Sequence, residues 1–178
     1  AGLIYLDDMS IALDCAASEL FNKDTYRLTG ENKKYSSEEM IVYIQSLVDK
    51  YEIKSVEDPF DETDWNAWKT FTNNNKDLQI VGDDIFVTQE KILTKGIENK
   101  VANSILIKLN QVGTLSETMQ TISLAKNNGY KTIISHRSGE TEDSFIADLA
   151  VAVDAGQIKT GAPARSDRTA KYNRLLPV

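Results

Sequence analysis

The chain has 178 residues, 41% of them hydrophobic and 26% charged, and a formal net charge of −7. That profile supplies apolar mass for one sizeable core, contains no apolar run near the roughly 20 residues of a membrane span, and leads us to expect no signal peptide. The acidic balance makes nucleic acid a poor partner and fits an anionic substrate held through a metal. The single cysteine, Cys15, cannot close an internal disulfide, which fits a reducing cytoplasm. With one histidine in the whole chain, cysteine nucleophile chemistry has little to stand on.

In chain order, Ser10–Asp14 reads as a strand, and Glu19–Lys34 as polar and irregular with a turn at Thr29–Asn32. Ser36 and Glu39, at capping-box spacing, open a helix whose apolar face is Met40, Ile41, Ile44, Leu47 and Val48. Ile53–Glu57 is a strand closed by Asp58-Pro59, because proline has no N–H to give a ladder. A helix with core-facing Trp65, Trp68 and Phe71 follows. Leu78–Asp83 is a strand, Thr88–Asn99 a helix, and Ser104–Asn110 a strand. Leu115–Lys126 is a helix capped by Thr114 and closed by Gly129. Lys131–His136 is a strand, and Glu142–Ala155 a helix with Thr141, Glu142 and Asp143 placing oxygens at its positive end. Gln157–Gly161 is the last strand, and Asp167–Leu176 a closing helix.

Strands alternating with helices at a period of roughly 25 residues predict βα units, a parallel sheet and an α/β fold. The strands end in charged or polar residues, and the glycine fingerprint of a dinucleotide site is absent. Both favour a TIM-type barrel over a doubly wound sheet. A closed barrel needs eight strands, and six are legible here. Either the sheet is open or the chain is part of something longer.

The strand ends spell Asp14, Glu57, Asp83, Lys108, His136 with Arg137, and Lys159. Three converging carboxylates repel one another unless a cation sits among them, and hard oxygen donors without thiolate suit Mg²⁺. Lys108 is set into the apolar strand Ser104–Asn110, where an ammonium loses hydration worth several kcal/mol or more. It is either a solvent-facing lysine on a half-exposed strand or a base kept near acids and a metal. A second lysine and a cation nearby would ease loss of its proton, which is the chemistry of proton abstraction α to a carboxylate. Arg137 offers a planar fork and Ser138 a hydroxyl ahead of a helix start, a combination suited to phosphate. Arg165, Asp167 and Arg168 read as surface ion pairs. Asp58 and Asp84 adjoin proposed ligands but at period two should point away from them.

Six long stretches also carry a family resemblance: Ser10–Glu19, Ser55–Phe60, Val81–Asp84, Lys108–Leu115, Ser135–Asp143 and Ile158–Pro163. In that order, and nearly end to end, the chain resembles enolase, the phosphopyruvate hydratase of glycolysis, of bacterial type. The resemblance implies Mg²⁺-dependent reversible dehydration of 2-phosphoglycerate to phosphoenolpyruvate. It implies Asp14, Glu57 and Asp83 as ligands of the first Mg²⁺ and Lys108 as the base for the C2 proton. Arg137 and Ser138 become phosphate contacts and Lys159 the carboxylate contact. His136 belongs to the same pocket in the family; from sequence alone it could equally be a packed strand-end histidine.

The same resemblance makes residues 1–178 a partial C-terminal barrel domain. An N-terminal α+β domain, two barrel strands, the acid that assists hydroxide departure and a second-metal loop are expected to lie outside the chain, so the fragment alone is expected to be inactive. Family members assemble as homodimers or larger rings. Two other classes stay open: a surface or secreted module that binds host protein such as plasminogen, and a barrel in which Lys108 or Lys159 forms a Schiff base, as in aldolases. The three acids argue against the last, because Schiff-base chemistry needs no metal.

Overall fold

In the computed structural model, which describes residues 2–176, the first strand, β1 (Ala12–Asp14), leads into a small antiparallel sheet. Its strands are β2 (Phe21–Asn22), β3 (Thr25–Leu28) and β4 (Lys33–Tyr35). This sheet occupies the stretch expected to be irregular. Its strands are too short for a period of two to emerge from the composition. The β2–β3 turn places two non-glycine residues in left-handed backbone, Lys23 at φ 48° and Asp24 at φ 62°, where the Asn-Gly signal of such hairpins would normally stand. What fixes the sheet is Tyr26, fully buried, whose hydroxyl donates to Asp64 at 2.9 Å and accepts the Asp61 N–H at 2.9 Å.

Helix α1 (Ser37–Tyr51) starts at the predicted capping box: the Ser36 hydroxyl accepts the Glu39 N–H, and the Glu39 carboxylate accepts the Ser36 N–H. Met40, Ile44 and Val48 form its buried stripe. After β5 (Ser55–Glu57) comes α2 (Trp65–Asn74), capped by the Asp64 carboxylate. Trp68 and Phe71 are fully buried and meet Phe60 edge-on, at 6.1 and 5.4 Å. Trp65 is half-buried, with Lys95 over its ring. β6 (Gln79–Gly82) and α3 (Glu90–Asn99) follow.

The chain divides into two compact units, one running through Phe86 and including Lys95–Asn103, the other made of Val87–Thr94 and the chain from Ser104 onward. In the first unit β1, β5 and β6 are parallel, with Asp14 opposite Glu57 and Glu57 opposite Val81. In the second, β7 (Ser104–Ile107), β8 (Lys131–Ser135) and β9 (Ile158–Lys159) are parallel, with Ile107 opposite Ile134 and Ser135 opposite Lys159. The α/β class and its six parallel strands are thus as expected, three strands to a unit.

Between the strands of the second unit run α4 (Leu109–Val112), α5 (Leu115–Asn127), α6 (Phe145–Ala152) and finally α7 (Ser166–Leu175). Every residue of β7 is buried, the mark of a strand covered on both faces. β7 stops at Ile107 rather than Asn110, and Lys108 becomes the N-cap of the single turn α4. Helix α6 is shorter than the predicted Glu142–Ala155 and leaves Phe145 45% exposed at its start. Thr141 and Asp143 instead shape the preceding turn: the Thr141 hydroxyl accepts the Asp143 N–H, and the Asp143 carboxylate accepts the Phe145 N–H.

Candidate functional site

In the first unit the candidate metal ligands stand at the C-terminal ends of parallel strands. Asp14 closes β1 and is exposed; Glu57 closes β5; Asp83 follows β6 directly. Glu57 and Asp83 are each 7% exposed. Main-chain bonds tie these ends together, from the Cys15 N–H to the Glu57 carbonyl at 2.9 Å and from the Asp58 N–H to the Val81 carbonyl at 3.0 Å.

Asp58 and Asp84 do not turn away as strand alternation suggested. The strand ends at Glu57, and Asp58 enters left-handed backbone at φ 42°, so the period of two no longer directs its side chain. The Asp58 carboxylate accepts the N–H groups of Asp83 at 2.9 Å and Asp84 at 2.8 Å. One carboxylate oxygen each from Asp58, Asp83 and Asp84 lies within 4.8 Å of the others. This all-oxygen donor set, which shares only Asp83 with the three ligands expected from the sequence, fits a hard divalent cation. Burial pushes Asp58 up to about 8; its two N–H donors oppose the rise and the charges of Asp83 and Asp84 add to it. Burial, with help from Asp14, Asp58 and Glu57, pushes the Cys15 thiol up to about 12. A thiol so held is a poor nucleophile at neutral pH.

In the second unit Lys108 is half-buried at the end of the fully buried strand β7. Its N–H donates to the Thr88 hydroxyl at 3.0 Å, which itself donates to Gln111 Oε1 at 2.5 Å. The Thr88 carbonyl accepts the Thr121 hydroxyl at 2.9 Å. Thr88 is fully buried in left-handed backbone at φ 54°, a costly conformation for a β-branched residue that the bonds on both its polar groups offset.

Beyond β8 the His136 N–H donates to the Lys159 carbonyl at 2.9 Å, and Arg137 donates from its guanidinium to Asn110 Oδ1 at 3.2 Å. Arg137 and Ser138 are exposed, His136 and Lys159 half-buried. Burial lowers the His136 imidazole below its usual range; Glu140 opposes this, while Arg168, Lys171 and Lys159 reinforce it. His136 Nδ1 and the Thr160 hydroxyl are buried without a hydrogen-bond partner. Asp167 pairs with Arg165 at 3.2 Å as expected, the Arg165 side chain being exposed and Asp167 buried. Arg168 Nε is buried without a partner.

Sequence reasoning missed Thr88 and Lys171. Nothing distinguishes Thr88 from a helix-start threonine until its backbone is seen to turn left-handed. Lys171 sits in a mostly polar helix, where a lysine reads as solvated, yet it is 0% exposed.

Among the described residues no helix is long and apolar enough to cross a membrane. The family described as enolase, C-terminal TIM barrel domain, matches residues 1–178. The enolases of Legionella pneumophila strains Lens, Corby and Paris are each 57% identical to the chain over 180 aligned positions, covering 100% of it and 42% of their own length. The chain therefore spans about two-fifths of the curated relatives it matches. A match that covers the whole chain, together with parallel βα units whose strands end at the acids and lysines just described, establishes that the chain belongs to the enolase C-terminal TIM barrel domain family.

Proposed function

We propose that the protein has enolase activity, as a phosphopyruvate hydratase that reversibly converts 2-phospho-D-glycerate to phosphoenolpyruvate and water. The observation that carries this reading is the family match over residues 1–178, joined by relatives named enolase that align with the whole chain. In this reading Asp14, Glu57 and Asp83 hold Mg²⁺, which when bound supplies polarisation of the substrate carboxylate and offsets negative charge gathering there.

The amine of Lys108 takes the C2 proton as general base. The electron pair of that C–H bond becomes the C2–C3 double bond as the C3–O bond breaks, and the departing hydroxide takes a proton from an acid outside this chain. Arg137 and Ser138 hold the phosphate, the former through a planar fork of N–H donors. Lys159 holds the carboxylate by charge, and His136 lines the same pocket. We propose a cytoplasmic, homo-oligomeric parent protein in which these 178 residues supply metal ligands and base but do not turn over substrate by themselves.

The test is the absorbance of phosphoenolpyruvate formed from 2-phosphoglycerate at saturating Mg²⁺, run on the native protein and on the 178-residue chain. Turnover by the native protein and none by the chain is expected. A native protein without turnover sinks the activity, and robust turnover by the chain alone sinks the division of labour.

A further inference from the structure

The loop between β8 and α6, which carries Arg137 and Ser138, is gripped from α7 by a buried lysine. Lys171 is 0% exposed. Its Nζ donates to the Thr141 carbonyl at 2.5 Å and to the Asp167 carbonyl at 2.6 Å, and it stands 3.8 Å from Glu140 Oε1. The three donors of an ammonium thus face one carbonyl of its own helix and two groups of the loop.

Glu140 carries the grip onward. Its Oε2 accepts the Arg137 N–H at 3.3 Å and its Oε1 the Thr141 N–H at 3.0 Å. At the opposite end the Arg137 guanidinium is held by Asn110 Oδ1 at 3.2 Å. The exposed residues Ser138 and Gly139 lie between these ties. If Lys171 served only to pack α7, a methionine would fill the same volume without the cost of desolvating an ammonium. What the lysine adds is a hold on the loop.

We propose that Lys171 is a positioning residue that fixes the Arg137–Thr141 loop, so that the Arg137 guanidinium and the Ser138 hydroxyl stand ready for a phosphate-class oxyanion. This rests on the reading of Arg137 and Ser138 as phosphate contacts; Lys171 itself touches no substrate.

The test uses the native protein, Lys171→Met, which keeps the side-chain length and removes the donors, and Glu140→Gln, which leaves Lys171 in place and weakens the onward link. Backbone amide exchange over residues 136–144 reads the loop, exchange over 104–107 serves as a buried-strand reference, and titration with inorganic phosphate reads the anion site. In Lys171→Met, loop exchange is expected to quicken about tenfold or more, with the reference strand within about twofold. Phosphate affinity is expected to fall roughly fivefold or more, and Glu140→Gln to show the same pattern at smaller amplitude.

Loop exchange and phosphate affinity unchanged in a folded Lys171→Met overturn the proposal. Equal loosening of the reference strand overturns it too, since Lys171 would then be a general support of the fold. If Lys171→Met does not fold, Glu140→Gln decides: loop-limited loosening with weaker phosphate binding supports the proposal, and its absence overturns it. A native protein that binds no phosphate, in which the variants still loosen the loop, sinks the phosphate reading and supports the anchoring. Loop loosening in Lys171→Met with phosphate binding untouched overturns the claim that the anchoring readies Arg137 and Ser138 for the anion.

Discussion

Thr88 holds the main chain of Lys108: one hydroxyl accepts the lysine N–H at 3.0 Å and donates to Gln111 one turn further on, closing a ring around the N-cap of α4. The base proposed for the reaction is therefore fixed at its backbone.

Thr88→Val removes that hydroxyl in nearly the same volume, and with it the bonds to the part-buried Lys108 N–H and to Gln111 Oε1. A stability loss of about 1–3 kcal/mol is expected from the unmet donor. In the native protein kcat is expected to drop roughly tenfold with little change in KM, because the ring positions the base and does not hold substrate. Thr88→Ser, which restores the hydroxyl, should recover most of both; equal kcat in all three proteins would remove Thr88 from the machinery.

Asp58 gives the metal-free protein a slope in stability against pH. Its folded value of about 8 lies above the ordinary carboxyl value of 3.8, so the folded state holds a proton that the unfolded state releases. Its favourable contribution is complete below about pH 4 and is lost as pH rises through about 8, at no more than about 1.4 kcal/mol per pH unit, after which it is flat. Urea unfolding at intervals across that window should show a shallower fall in Asp58→Asn than in the parent. Parallel curves would contradict the assignment.

The Cys15 thiol, pushed up to about 12 by burial, should be nearly inert to iodoacetamide in the folded, metal-free protein from pH 6 to 9. The thiolate fraction at pH 8 is on the order of one in ten thousand. Alkylation followed by mass spectrometry should show rapid labelling only after urea is added. Rapid labelling of the folded protein at pH 8 would mean that the thiol is neither buried nor protonated.

Gly96→Ala sets two effects against each other. Alanine in place of a helical glycine gains about 1 kcal/mol of propensity. A Cβ there, however, would lie 2.5 and 2.8 Å from two ring atoms of Phe86, and the far side of the same ring stands 2.5 Å from where a Cβ on Gly82 would be. Phe86 is fully buried between the two glycines. Overpacking costs typically about 1–3 kcal/mol, so net destabilisation is expected, read as a lowered midpoint in thermal unfolding. A raised midpoint would show that the ring yields.

Much of this arrangement was legible in the residues. The Ser36–Glu39 box, the buried stripe of α1 and the acids and lysines at strand ends were readable because each depends on local spacing. What escaped depends on single backbone angles and long-range partners. Asp58 leaves strand alternation through one left-handed residue, and no count of alternating positions foresees that. The antiparallel sheet of β2–β4 is held by one buried tyrosine in a polar stretch. Lys108 was read within a longer strand, whereas the chain begins to coil at that residue because Thr88, twenty positions earlier, captures its N–H. Lys171 looked like any solvated helix lysine, since its partners come from a loop thirty residues away.

The β2–β3 hairpin turn marks an unused margin. Lys23 and Asp24 both sit in left-handed backbone, a conformation that glycine reaches without steric cost, and neither belongs to the candidate metal, base or phosphate groups. Residues better suited to the turn offer a way to toughen the protein against heat without touching its chemistry, and so to offset the losses that substitutions at Thr88, Asp58 or Lys171 would otherwise bring.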